Sequence, residues 1–349
     1  MNKSVESSEA KDKALKTAVP RVFALDAQSP SLKARIPLSP NQKAWRRFKG
    51  NRVAVFSGVF LLATFSLVLA WPILSSPAIA VRLPKAVGHS PLALSESQFT
   101  APTAEHWFGT DVHGRDLLSR VFYGARISIL VGVVGASVSL VIGVLWGAVA
   151  GYVGGRWDNL MMRFVDILYS LPSIVFVIVL ITTLEAIFKD WLSRTFSPEL
   201  GALARLLFLF VGLGAVSWLT MARIVRGEVL SLRTRNFIDA SRALGASHLG
   251  IIFRHILPNI VGIIVVYLTL TVPSIVLYES FLSYLGLGIQ PPQASLGSLI
   301  AEGASQINPI RIYWWMIIFP SAFLTATLLA LNFVGDGLRD AFDSRLERR

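Results

Sequence analysis

The stretch that decides the fold reads Ile127-Ser-Ile-Leu-Val-Gly-Val-Val-Gly-Ala-Ser-Val-Ser-Leu-Val-Ile-Gly-Val-Leu-Trp-Gly-Ala-Val-Ala-Gly-Tyr-Val-Gly-Gly155. It carries no charged side chain and exceeds the roughly 20 residues that a helix needs to cross the hydrocarbon core of a bilayer. Working outward, Val53–Val81, Leu206–Ala222, Ile256–Tyr278 and Ile312–Gly335 are also of spanning or near-spanning length, and Ile167–Leu184 is shorter but equally apolar. Together they predict six spans. In lipid, backbone groups are satisfied only in helices or closed barrels. Runs this long and this uniformly apolar exclude barrel strands. The expected fold class is an all-α membrane protein with six transmembrane helices.

Composition agrees. The chain has 349 residues, 53% of them hydrophobic and only 15% charged, against about a quarter charged in soluble proteins. There is no cysteine, which excludes a disulfide framework or a thiolate metal site. The net charge of +12 suits nucleic acid or anionic lipid, and its distribution favours lipid. With the N-terminus inside, 24 Lys and Arg fall on the cytoplasmic side and 8 on the other, Arg205 sitting at a span edge. This is the positive-inside asymmetry, and it predicts cytoplasmic termini. Residues 1–52 are polar, with the first apolar run beginning at Val53. A cleavable signal would place its apolar stretch earlier, so this run is expected to stay as a span. Within the tail, Lys43-Ala-Trp-Arg-Arg-Phe-Lys-Gly-Asn-Arg52 mixes aromatics with cations, which suits the anionic cytoplasmic leaflet. It serves equally as a topology anchor. Small residues recur at every fourth position at Gly135, Ser139, Gly143, Gly147 and Gly151. Such a stripe lets another helix approach closely, and packing inside one bundle is the simpler expectation.

The longest loop on the cytoplasmic side runs from about Arg223 to Pro258. Asn236 is a plausible N-cap, Gly245 a stop, and Ser247 a second cap. Phe237, Ala240 and Leu244 fall on one face of a first short helix, and Leu249, Ile252, Phe253 and Ile256 on a face of a second. The small residues Ala240, Ala243 and Gly245 would let this helix–Gly–helix knob enter a groove on a soluble partner. A helix-turn-helix DNA reader has a similar local pattern, but a tether at both ends denies it the major groove. A purely structural interfacial loop is the other alternative.

This segment resembles the EAA loop of bacterial ABC-importer permeases: Asp239-Ala240-Ser241, then Gly245 and Ala246, then Leu257-Pro258. Ser241 departs from the usual second Ala, and His255 stands where many relatives have Ile. Further segments are similar to those of peptide and nickel permeases: His106–Arg120 with Tyr123–Ser128, Met221–Gly227, Phe281–Gly288 with Gln290-Pro-Pro292, and Asn332–Asp343. The pattern looks most like the C-type membrane subunit of an oligopeptide permease. What the resemblance implies is a type I ABC-importer permease fold in the bacterial inner membrane. Its ATPase-docking loop would use Asp239, Ala240, Ser241, Ala243, Leu244, Gly245, Ala246, Leu257 and Pro258. The implied partners are a B-type permease subunit, two ABC ATPase subunits or domains, an extracytoplasmic peptide-binding protein and membrane lipid. ATP and Mg would be bound by partner subunits, with no cofactor on this chain and no nucleic acid. The expected organisation is a basic tail (1–52), a first helix with an extracytoplasmic segment (53–126), a five-helix permease core (127–340, coupling loop 223–258) and a C-terminal tail (341–349).

His106, Asp111, His113 and Asp116 are metal-ligand types, but their Gly-Thr-Asp and Gly-Arg-Asp setting reads as structural, and no metal is expected. No Gly-x-x-x-x-Gly-Lys-Ser/Thr phosphate loop occurs, and no catalytic constellation points to an enzyme. Asp166, Glu185 and Glu279 lie at or near span edges, where intramembrane charge is functional by default. Structural pairing or pore lining is expected, with Glu279 the candidate for the translocation path. A secondary, ion-coupled transporter would need inverted repeats and deep broken helices, and neither is visible. A nickel or other-solute permease stays open as an alternative substrate class.

Overall fold

The computed structural model describes residues 40–76, 84, 87–196 and 204–342. The expectations for the tail before residue 40, for residues 77–81 of the first apolar run and for residues 343–349 lie outside the described residues, as does the Glu185 side chain. From Ala44 onward the described residues form one compact unit.

The elements are α1 (Pro40–Gly50), α2 (Arg52–Leu74), α3 (Leu117–Val153), α4 (Gly155–Ser170), α5 (Ser173–Thr195), α6 (Ala204–Leu232), α7 (Asn236–Ala243), α8 (His248–Tyr284), α9 (Leu296–Ser305) and α10 (Trp315–Phe342). Among the described residues the only β pairing is one isolated bridge, Thr110 with Asp116. Five helices (α2, α3, α6, α8 and α10) are long and apolar enough to cross a membrane, or up to six spans if α4 and α5 form one bent span.

That bent pair corrects the expected span Ile167–Leu184. The chain turns by 88° between α4 and α5. The cause is local: Pro172 bars its predecessor from the helical region, and Leu171 sits at φ −80°, ψ 136°. Other boundaries also move. Helix α3 starts at Leu117, where the Asp116 carboxylate accepts from the Ser119 N–H, a side-chain N-cap. Helix α6 runs to Leu232 rather than Ala222, so Arg223 and Arg226 belong to a helix and not to a loop.

The small-residue stripe packs inside the chain. A Cβ on Gly143 would stand 2.6 Å from the Met221 Cβ, and one on Gly151 would stand 2.8 Å from the Arg226 carbonyl, both on α6. Close backbone approach of α3 and α6 is therefore built on these positions.

At one end of the bundle, Trp71, Leu117, Val121, Leu296, Leu299 and Trp315 form a core joining α2, α3, α9 and α10. The segment before α3 is pinned to it. The Trp315 indole donates to the Thr110 carbonyl at 3.1 Å, and Phe108 stacks on Phe319 at 4.1 Å. Asp111, fully buried, accepts from the Arg115 Nε at 2.7 Å and from Arg120, which also pairs with Glu302 of α9 at 2.9 Å. At the other end, Tyr152, Val225, Val229, Ile238, Ile251 and Ile256 form a core under the α7 loop.

Candidate functional site

The loop between α6 and α8 starts at Arg233 and ends at Ser247. Helix α7 begins at Asn236, and its N-cap is Arg235, which makes no side-chain capping bond. Asn236 is thus the first helical residue rather than the cap. The end of α7 matches expectation and is more fully specified. Gly245 has φ +81°, its N–H donates to the Arg242 carbonyl, and the Ala246 N–H donates to the Ser241 carbonyl. This paired bonding is the Schellman arrangement, which wants glycine at its left-handed position. Ser247 then caps α8, its Oγ accepting from the Gly250 N–H at 3.2 Å.

Helix α8 is one element of 37 residues, not a short helix followed by a span. It passes through one wide turn at Ile252–Ile256, where the Leu257 N–H reaches back to the Ile252 carbonyl. Pro258 follows at once. A proline supplies no N–H and crowds the carbonyl four residues back, and a wide turn relieves both conflicts. The Asn259 amide takes up the His255 carbonyl at 2.6 Å. The Leu257-Pro258 pair therefore shapes the root of the span: Leu257 packs on the core below, while Pro258 is exposed.

The apolar residues divide differently from the expected faces. Ile238, Ile251, Ile252 and Ile256 are buried beneath the loop, whereas Phe237, Leu244, Leu249 and Phe253 are exposed. Leu244 is 88% exposed. Ala240, Ala243, Gly245 and Ala246 share that exposed surface. Asp239 pairs with Arg242 at 3.1 Å on the surface. Ser241 returns its hydroxyl to the Phe237 carbonyl at 2.9 Å, so outwardly it behaves as a small residue, like the alanine it replaces.

What lies beneath is tied together by side-chain bonds. Arg233 donates to the Gly151 carbonyl at 3.2 Å at the C-terminal end of α3. Gly154 has φ +69°, and a Cβ there would collide with the Arg233 guanidinium. Tyr152 shares a hydrogen bond with His248 at 2.9 Å, and its ring lies under Arg242. Arg226 grips Asp158 of α4 through two bonds, and Arg223 pairs with Asp166 at 2.7 Å while lying over the Tyr169 ring. Sequence reading passed over Tyr152, Arg233 and His248. The only signal for them was Gly154-Gly155, a helix break that needed a partner.

Residues 143–348 match the family described as binding-protein-dependent transport system inner membrane component. The chain belongs to that family. Residues 39–85 of this permease match the N-terminal TM domain of oligopeptide transport permease C. The permease is 46% identical to the oligopeptide transport system permease protein OppC of Escherichia coli strain K12, over 87% of this chain and 91% of that one. It is 40% identical to the dipeptide transport system permease protein DppC of Bacillus subtilis strain 168, over 90% and 88% of the two chains. A solved structure of the inward-facing MetNI methionine ABC transporter aligns with a TM-score of 0.46 and 22% identity, covering 64% of this chain and 97% of that one. The permease is thus a multi-span inner-membrane protein.

Glu279, the residue expected near the path, lies in α8 with no exposed surface. Its carboxylate accepts from the Ser128 hydroxyl of α3 at 2.8 Å and from Ser283 at 2.6 Å. Ser128 in turn accepts the Leu296 N–H at the start of α9. Glu279 is a junction of three helices, withdrawn from every surface of this chain. The ligand types before α3 are also engaged. His106 bonds one oxygen of Asp116 at 2.9 Å while the other caps α3. His89 stacks on His106 with rings 28° apart, and the candidate ligand atoms of His89, His106 and Asp116 lie within 4.8 Å of one another. His113 and Asp111 take part in a turn, the His113 N–H donating to Asp111.

Proposed function

We propose that this permease is the membrane subunit of an ATP-driven ABC importer that carries peptides across the bacterial inner membrane. Likeness to oligopeptide and dipeptide permeases over nearly the whole of each chain is the observation that carries the reading. In it, α4 and α5 count as one broken span, giving six spans with cytoplasmic termini, in accord with the basic residues. The chain hydrolyses nothing itself. ATP and Mg belong to two ATPase subunits or domains, a B-type permease subunit completes the path, and an extracytoplasmic peptide-binding protein delivers the substrate.

The mechanism follows from the loop. Phe237, Leu244, Leu249 and Phe253 are exposed and offer apolar purchase to a groove on the ATPase. The small Ala240, Ala243 and Gly245 let that groove come close to the backbone, beside the exposed Asp239. Closure of the ATPase pair on ATP moves the knob. Because Arg233, Tyr152 and His248 tie the knob to α3 and α8, the motion passes into the spans as a rigid displacement. The bundle then shifts between inward- and outward-open states, as a ligand-biased two-state element.

The test is reconstitution with the partner subunits. Labelled tripeptide uptake should require ATP, the ATPases and the binding protein together. Uptake by this chain alone on an ion gradient would overturn the reading, and uptake of a nickel ion in place of peptide would redirect the substrate class.

A further inference from the structure

Helix α8 carries a stripe that its role as a membrane span does not explain. Tyr267, Thr271, Ser274 and Tyr278 recur at intervals of four, three and four residues and all face one groove. Across it stand Ser217 and Thr220 of α6, and the α4–α5 break closes the side with Tyr169 and Ser173. The groove holds about 310 Å³, and no charged side chain lines it. A helix face turned to lipid at mid-span should be apolar, with tyrosine kept to the interfaces. A hydroxyl on every turn marks a face that meets water or a polar solute.

The chemistry of the lining is mixed. Ser217, Thr271 and Ser274 give their protons to carbonyls of their own helices, Leu213, Tyr267 and Leu270, at 2.8, 2.7 and 3.2 Å. Their oxygens remain as acceptors. The phenols of Tyr267 and Tyr278 have no hydrogen-bond partner among the described residues and are free to donate. The stripe runs for about 16 Å of helix, the length of about five residues of an extended chain. Past Tyr278 the same face becomes apolar, with Val177, Leu213 and Leu282 buried together.

We propose that this groove is the permease's half of the translocation path and that it binds the main chain of an extended peptide. Donors at the two ends of the stripe and acceptors between them suit peptide N–H and C=O groups. The absence of lining charge makes the groove indifferent to acidic or basic side chains. Arg223 and Asp166, beside Tyr169 at its edge, pair with each other. The proposal rests on the peptide-permease reading.

The test uses the absence of cysteine in this chain. Ser274→Cys and Leu62→Cys, the latter on the exposed face of α2, are each made in the full chain with its partners, in inverted membrane vesicles loaded with the binding protein and labelled tripeptide, where uptake is read as release of the label from the lumen. A charged, membrane-impermeant thiol reagent should modify position 274 at least ten times faster than position 62. Modification at 274 should abolish uptake of acidic, neutral and basic tripeptides alike, with ATPase activity retained. Equal, slow reaction at both positions, or full uptake after modification at 274, overturns the groove. Block of only one charge class overturns its indifference to side chains. Failure of the unmodified wild-type assembly to import any peptide would instead overturn the peptide reading, while thiol accessibility still reports on the groove.

Discussion

The hydroxyl of Tyr152, at the C-terminal end of α3, meets Nδ1 of His248, the first residue of α8, at 2.9 Å. The contact joins the root of one span to the start of another directly beneath the exposed loop. A side-chain hydrogen bond of this kind contributes about 1 kcal/mol. Tyr152→Phe should therefore leave folding and membrane insertion intact but loosen the knob. The expected outcome is a fall of about 3- to 10-fold in peptide transported per ATP hydrolysed, read by measuring uptake and phosphate release on the same reconstituted assembly.

Gly245 separates backbone strain from steric clash. A Cβ there meets nothing within 4 Å, yet φ is +81°. Gly245→Val places a branched side chain in the left-handed region at a cost of about 1–2 kcal/mol, and it should lose transport while inserting normally. Gly245→Asn, which tolerates that region, should keep most of it. Equal uptake by both variants would remove the Schellman turn from the mechanism.

Arg120 is almost fully buried and bridges Asp111 to Glu302. Breaking a buried pair by removing one partner costs about 3–5 kcal/mol. Arg120→Ala should sharply lower the thermal unfolding temperature of the purified protein in detergent. Glu302→Gln should do less, because Glu302 is partly exposed and its amide can still accept from Arg120.

Glu279 joins α3 and α8 through Ser128 and Ser283. Glu279→Gln retains an acceptor for the serine hydroxyls and should cost little. Glu279→Leu strands both buried hydroxyls at about 1–3 kcal/mol each. Thermal unfolding of the two variants should rank them in that order, and the reverse order would deny the hub its role.

Much of the fold was legible because lipid imposes a simple rule: a long uncharged run must be a helix. That rule located α2, α3, α6, α8 and α10. It failed at the boundaries, because helices continue past the apolar run wherever polar side chains find partners. Arg223 and Arg226 extend α6 only because Asp166 and Asp158 of α4 receive them. It failed again at Leu171-Pro172, where hydropathy is continuous but the backbone is not.

Within the loop between α6 and α8, Gly245 and Ser247 were readable because caps and left-handed glycines are local features. The sequence by itself determined the membrane class, the five long apolar helices and the positions of Gly245, Ser247 and Pro258. Only the tertiary structure decided which apolar residues of the loop face outward. Ile238 and Phe237 are neighbours in the chain, and only the packing of Tyr152 and Val229 beneath them buries one and exposes the other. It also decided that Glu279 is enclosed and that hydroxyls from four helices share one groove. Such groupings depend on which helix lies beside which, a contact between distant segments that no local pattern encodes.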